Sequence, residues 1–218
     1  EGARVVGVKT GGGDIRGRIV INAAGPWIDK ISTLAGTRIP MRLQKGTHLI
    51  YDRPLVEVGL LIEAVDRGRY VFAVPYKEGT LIGPTDLRAP EDPDKVSTSP
   101  EEIRYLLDSV KRFLPDFPEK YDRTIVGSRP ILGQAGSEKL LSREYEVFDH
   151  ETRDHIPGLL TIGGGKMSDF RVMAEAVTTL ACQKLGVSSE CRTYRETLSG
   201  EPVGDIPDFP RPWRPLKT

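Results

Sequence analysis

The chain has 218 residues, with 38% hydrophobic and 28% charged side chains, an ordinary balance for a protein that buries a core. Lys+Arg and Asp+Glu each number 31, so the formal net charge is zero. That balance argues against a general nucleic-acid binder or a polybasic membrane patch, and no apolar run approaches the ~20 residues of a spanning helix.

In chain order, Glu1-Gly2-Ala3 runs into strand-like RVVGVKT with no initiator methionine, which reads as the inside of a longer polypeptide. Residues 4–22 read as a hairpin: RVVGVKT alternates, GGGD turns, and IRGRIVINAAG returns as a strand that becomes almost wholly apolar. An apolar end suggests burial on both faces, as in a sheet covered by helices. PWIDKISTLAG follows as a short helix, with Pro26 in its first turn and Gly36 after its end. From about 38 to 90, KGTHLIYDRP, GRYVFAVPY and GTLIGPTD are separated by Gly, Pro and Asp, the pattern of an antiparallel sheet.

SPEEIRYLLDSVKRFL, residues 99–114, is the clearest helix. Ser99 caps it, Pro100 suits the first helical position and Glu102 completes a capping box. Ile103, Leu106, Leu107, Val110 and Phe113 recur at three-to-four spacing and form one apolar face, and Pro115 stops the helix. RTIVGSRPIL, REYEVFD and GLLTIGG read as strands, the last feeding a helix over 168–185 with Phe170, Met173, Val177 and Leu180 on one side and Gly186 at its end. Cys182 and Cys191 are too few for a four-thiolate cluster or zinc site and read as reduced thiols of a cytosolic protein. The tail, 187–218, is rich in Pro, Arg and Asp and reads as extended or partly disordered.

The stretch LLTIGGGKMSDFRVMAEAV carries the strongest local signal: strand, glycines, lysine, helix. A P-loop would need glycine where Leu160 stands and a hydroxyl residue where Met167 stands. The dinucleotide fingerprint comes closer with Gly163 and Gly165, but Ser168 holds the third slot and no second strand follows the helix. What survives is narrower. Without Cβ atoms, Gly163–Gly165 let something flat or bulky touch the backbone. The helix start offers N–H groups and Lys166 a full charge, a setting for a ligand atom that gains negative charge. The plainer reading is a tight strand-to-helix turn with Lys166 in solvent.

Several stretches together resemble FAD-dependent glycerol-3-phosphate dehydrogenases: VINAAGPWIDKI, MRLQKGTHLIY, VFAVPYKEGTLIGPTD, GSRPIL, LSREYEVFDH and TIGGGKMSDFRVMAEAV, in the family's order and spanning roughly residues 1–190. RVMAEAVTTLACQKLG, with a second cysteine shortly after, is more similar to the anaerobic, quinone-linked type. The resemblance implies a mixed α/β and α+β fold of the D-amino-acid-oxidase kind. A partial Rossmann-like FAD-binding domain (1–37 and 121–186) is interrupted by an antiparallel-sheet substrate (cap) domain (38–120), with 187–218 a Pro-rich tail. The family's N-terminal GxGxxG and its early substrate-binding arginine are absent, which implies the C-terminal part of the catalytic region, inactive by itself.

The resemblance also implies site residues. Ala24 and Gly25 would lie against FAD, with Trp27 packing. Gly164, Gly165, Lys166 and Met167 would lie beside the flavin ring, Lys166 stabilising its developing negative charge. Arg129 and Arg143 would bind the phosphate head, since guanidinium pairs with a dianion through parallel hydrogen bonds. His48 would take the hydroxyl proton. Tyr76, Thr85 and Asp86 would line the pocket. His150 and His155 read as surface residues in a polar turn, with no metal implied. The implied reaction oxidises sn-glycerol 3-phosphate to dihydroxyacetone phosphate, with electrons passing to quinone or to electron-transfer partner subunits. The expected setting is cytoplasmic, with room for peripheral membrane association and a homodimer, and without nucleic acid. The alternatives are an amine or amino-acid oxidase of the same fold, or a truncated, non-catalytic domain that does not hold FAD.

Overall fold

The computed structural model describes residues 4–133 and 144–196. The chain divides into two units, Glu1–Lys166 and Met167–Thr218.

In the first unit, β1 (Gly7–Thr10) and β2 (Gly13–Arg16) form a two-stranded antiparallel hairpin. The return strand expected through residue 22 is in fact two strands. The chain breaks at Gly17, and β3 (Val20–Asn22) joins a different sheet, parallel to a strand far downstream. The local turn specifies the hairpin, whereas the partner of the apolar half lies beyond the reach of any local pattern. A 3-10 turn at Gly25–Trp27 leads into α1 (Ile28–Leu34), and Gly36 follows with φ +79°.

The larger sheet is built from β4 (Met41–Tyr51), β5 (Leu60–Glu63), β6 (Tyr70–Tyr76), β7 (Gly79–Gly83) and β8 (Leu87–Arg88). After a 3-10 turn at Pro93–Lys95 comes α2 (Pro100–Lys111), whose N-terminus carries the expected capping box of Ser99 and Glu102. Then β9 (Arg123–Leu132) pairs with β4 along its whole length, from Met41↔Leu132 to Ile50↔Arg123. The antiparallel sheet therefore extends past residue 120, where the cap segment was expected to close.

Side chains alternate across this sheet, so cross-strand partners share a face. Leu49, Ile62, Val71, Ala73 and Ile82 point to one face and form a buried core with Leu106 and Val110 of α2. Phe113, expected on the same helical face, lies beyond the helix end at Lys111 and is exposed. The opposite face presents Leu61, Phe72 and Ile125, which are 61%, 45% and 44% exposed.

The smaller sheet has the order β10 (Tyr145–Asp149), β11 (Leu159–Gly164), β3. β10 is antiparallel to β11, and β11 is parallel to β3. Every residue of β11 from Leu159 to Gly163 is buried, as its apolar run predicts. Between β10 and β11, the expected polar turn contains a short helix, α3 (His150–Asp154).

In the second unit, a 3-10 turn at Met167–Asp169 precedes α4 (Phe170–Leu185). Gly186, with φ +67°, ends that helix, and the amides of Gly186 and Val187 bond back to the carbonyls of Gln183 and Cys182. Cys182 and Cys191 carry free thiols. Most of the tail expectation, from residue 197 onward, falls outside the described residues. Among the described residues no helix is long and apolar enough to cross a membrane.

Candidate active site

Two places in the first unit gather the residues singled out in the sequence. One is the open face of the larger sheet. The other is the edge of the smaller sheet where the parallel strands β3 and β11 both end.

On the open face, Arg129 of β9 sits opposite Gln44 of β4, and Gly46 is next on the same face. The guanidinium lies across Gly46. A Cβ built on that glycine would stand 2.5 Å from Arg129 Nη2 and 2.9 Å from the Thr85 carbonyl oxygen. Only a bare backbone leaves that space. Arg129 Nη2 donates to the Thr85 carbonyl at 3.0 Å and approaches Asp86 Oδ1 at 3.5 Å, yet its side chain stays 40% exposed. An arginine fixed at one nitrogen and open at the rest of its fork can still receive an oxyanion.

His48 follows Gly46 on the same face of β4, half-buried. Gly83, at φ +149°, lets the β7 backbone pass under the ring, since a Cβ there would meet His48 Cδ2 at 2.5 Å. Burial pushes the imidazole pKa below its ordinary value, and the nearby charge of Arg129 pushes it the same way. The ring is therefore neutral at physiological pH, with a nitrogen able to accept a proton.

Thr85 and Tyr76 stand differently. The Thr85 hydroxyl is buried on the α2 side, accepting the Thr47 amide at 2.8 Å and donating to Glu102 at 2.7 Å. Its link to the open face runs through its carbonyl. Tyr76 ends β6 beside the hairpin into β7, half-buried, with Lys77 over its ring. Arg143 lies outside the described residues.

At the strand edge, β3 runs out through Ala24 to Gly25. Asn22, buried, organises this exit: its amide nitrogen donates to the Ile28 carbonyl at 2.8 Å and to Ser32 Oγ at 3.0 Å, and its oxygen accepts the Ala24 amide. Gly25 has φ +54°, and a Cβ there would meet nothing within 4 Å. Trp27 donates its indole N–H to Asp94 at 2.8 Å. β11 ends at the same edge in Gly163–Gly165. Here the glycines face protein rather than open space. A Cβ on Gly163 would stand 2.5 Å from Ile28 Cδ1, and one on Gly164, at φ +73°, would meet the Glu144 carbonyl and Leu132. The Gly165 amide donates to the Glu144 carbonyl at 3.0 Å. On their Cβ side, Gly163 and Gly164 make room for neighbouring chain. Lys166 is exposed at the end of the first unit, and Met167 opens the second.

His150 corrects another expectation. It is fully buried, with Nδ1 2.6 Å from Asp154 Oδ2 and Nε2 2.8 Å from Thr161 Oγ1, a structural bridge from α3 to β11. His155 is exposed, with φ +58° at the end of α3.

The family described as FAD dependent oxidoreductase matches residues 1–178. The chain belongs to this family. Proteins similar to it include the anaerobic glycerol-3-phosphate dehydrogenase subunit A1 of Haloferax volcanii, 31% identical over 92% of this chain and 37% of the relative. The aerobic glycerol-3-phosphate dehydrogenase of Staphylococcus haemolyticus is 32% identical over 90% of this chain and 37% of the relative. The chain thus spans little more than a third of the length of these relatives. Among solved structures, the Bacillus halodurans glycerol-3-phosphate dehydrogenase complexed with FAD superposes with a TM-score of 0.71 at 27% identity, covering 84% of this chain and 35% of that one. Glycine oxidase from Geobacillus kaustophilus shares the fold, with a TM-score of 0.58 at 19% identity over 94% of this chain and 52% of its own.

Within this oxidoreductase, the strand edge fits a flat cofactor at Gly25, where the backbone is bare and the space above it open. Ligands of sheets with parallel strands bind outside the carboxyl ends of those strands, and β3 and β11 both end here. The residues that sequence reasoning missed are the supports. Asn22 shapes the exit to Gly25, and Lys45, Thr47 and Glu102 lie behind Thr85. Glu102 was visible as a capping residue, but its partners lie elsewhere in the chain and gave no local signal.

Proposed function

We propose that this chain is part of a flavoprotein that oxidises sn-glycerol 3-phosphate at C2 to dihydroxyacetone phosphate, with electrons passing onward to quinone. The observation that carries the reading is the pairing, on one sheet face, of a half-open guanidinium with a histidine whose pKa is held down. The named relatives agree with a phosphate-bearing alcohol as substrate.

FAD, when bound, supplies the two-electron acceptor for the alcohol. Ala24 and Gly25 would hold it by close main-chain approach, and Gly165 and Lys166 would border it. Arg129 binds the phosphate dianion with the guanidinium edge not used by the Thr85 carbonyl. That anchor fixes the distance from the phosphate to the hydroxyl, and hence which carbon is presented for oxidation. Neutral His48 accepts the C2 hydroxyl proton on a ring nitrogen as the carbonyl forms. The partner, if electrons leave through another subunit, is an electron carrier, and a cytoplasmic membrane surface is the natural place to meet quinone.

The test is Arg129→Ala in the FAD-loaded holoenzyme. KM for glycerol 3-phosphate should rise about a hundredfold, as expected on losing a charged phosphate contact of ~3 kcal/mol. Normal turnover by that variant at unchanged KM, or wild-type oxidation of glycine or sarcosine in place of glycerol 3-phosphate, would sink the proposal.

A further inference from the structure

Glu102 is a carboxylate on the covered face of the larger sheet, 1% exposed. Burial alone would raise its pKa, yet bonds from Lys45, Thr85, the Ser99 amide and Thr47 overcome that and hold it below the ordinary carboxylate value. Each oxygen accepts two hydrogen bonds. Oε2 takes Lys45 Nζ at 2.6 Å and Ser99 N at 3.0 Å, while Oε1 takes Thr85 Oγ1 at 2.7 Å and Thr47 Oγ1 at 2.9 Å. A capping box uses only the Ser99 bond. The other three reach strand β4 and the segment after β7.

That segment is where the covered face meets the site. Thr85 is tied to β4 twice and to α2 once: its amide donates to the Thr47 carbonyl at 3.1 Å, its hydroxyl accepts the Thr47 amide, and the same hydroxyl donates to Glu102. Its carbonyl then takes Arg129 Nη2 at 3.0 Å over Gly46. We propose that Glu102 and the Thr85 hydroxyl are positioning residues: by locking the Thr85 peptide against β4 they aim the Arg129 guanidinium for a phosphate-bearing ligand. The relay runs Glu102 carboxylate, Thr85 hydroxyl, Thr85 carbonyl, Arg129. Thr47 is an internal comparison, because its hydroxyl makes a similar buried bond to the same carboxylate oxygen without joining the relay to Arg129.

This inference rests on the reading of Arg129 as the phosphate anchor. Its test compares Thr85→Val, Thr47→Val and Arg129→Ala holoenzymes by KM for glycerol 3-phosphate and by the calorimetric Kd of inorganic phosphate. Thr85→Val should raise both about tenfold, with kcat lowered less than KM is raised, and Thr85→Ser should restore both. Thr47→Val should lower the melting temperature to a similar degree and leave both constants near wild type. Equal shifts in the two valine variants would reduce the network to fold stability and overturn the proposal, as would wild-type constants in Thr85→Val. If Thr85→Val does not fold, Thr85→Ala removes the same hydroxyl and is read the same way. If Arg129→Ala leaves both constants unchanged, the phosphate reading itself fails. If Arg129→Ala raises them while Thr85→Val does not, only the relay fails.

Discussion

The His48 imidazole is held neutral by two independent causes, burial and the positive charge of Arg129, and they make separable predictions. Because kcat/KM reports the free enzyme, its acidic limb should fall at a pH below histidine's ordinary ~6.5. Replacing Arg129 by Gln removes one of the two causes, so the limb should move to higher pH. The substrate phosphate ionises identically for both proteins, so the difference between the two kcat/KM profiles belongs to the enzyme. An unmoved limb would disconnect the two residues. The sign for stability is the reverse of a salt-bridged histidine. The unfolded chain takes up the proton first, so His48 subtracts stability as pH falls through ~6.5 toward the lower folded value. Gly46 and Gly83 belong to the same residue-scale account, since each leaves the space that an arginine fork or an imidazole ring then fills.

At the scale of elements, α2 was the most legible part of the fold and β9 the least. The α2 signals are local: a cap, a proline, a capping box and apolar residues at three-to-four spacing. They place Leu106, which is fully buried against Leu49, Val71 and Ile82. Leu106→Ala should cost about 2–5 kcal/mol in denaturant unfolding. Phe113 fits the same spacing but stands beyond Lys111, so Phe113→Ala should cost under ~0.5 kcal/mol. A large loss at Phe113 would mean that the helical face continues past its observed end. The strand character of β9 was plain in RTIVGSRPIL, but its register against β4 was not. That pairing closes a long loop through β5–β8 and α2, and no local pattern encodes it. The same limit explains the division of the first return strand, whose second half pairs with β11. At the site, Arg129 and His48 stood out because arginine and histidine carry chemistry in any context, and the family resemblance singled them out. The supports Asn22, Lys45 and Thr47 did not, because a buried polar residue acquires its meaning only from partners brought to it by the fold.

At the scale of the whole molecule, the ends of β3 and β11 bring two glycine segments to one edge for opposite reasons, and substitution separates them. Gly25 is left-handed with open space above its Cα, so alanine there adds backbone strain of roughly 1 kcal/mol and no collision. Gly164 is left-handed and walled by the Glu144 carbonyl and Leu132, so alanine there must displace the backbone just before β10 or the end of β9. If the open space at Gly25 belongs to a cofactor, Gly25→Val should lower flavin content, read as absorbance near 450 nm per protein, while the FAD-stripped protein still folds, with its melting temperature lowered only by the few degrees that left-handed backbone strain costs. Gly164→Ala should lower that melting temperature by several degrees, and any loss of flavin should follow from the loss of fold. Full flavin content in Gly25→Val would mean that the bare backbone serves only the strand-to-helix connection. Asn22 holds that connection through three hydrogen bonds. Asn22→Ala leaves the Ser32 hydroxyl and the Ile28 carbonyl short of a buried partner, and should therefore destabilise the stripped and the FAD-loaded protein alike.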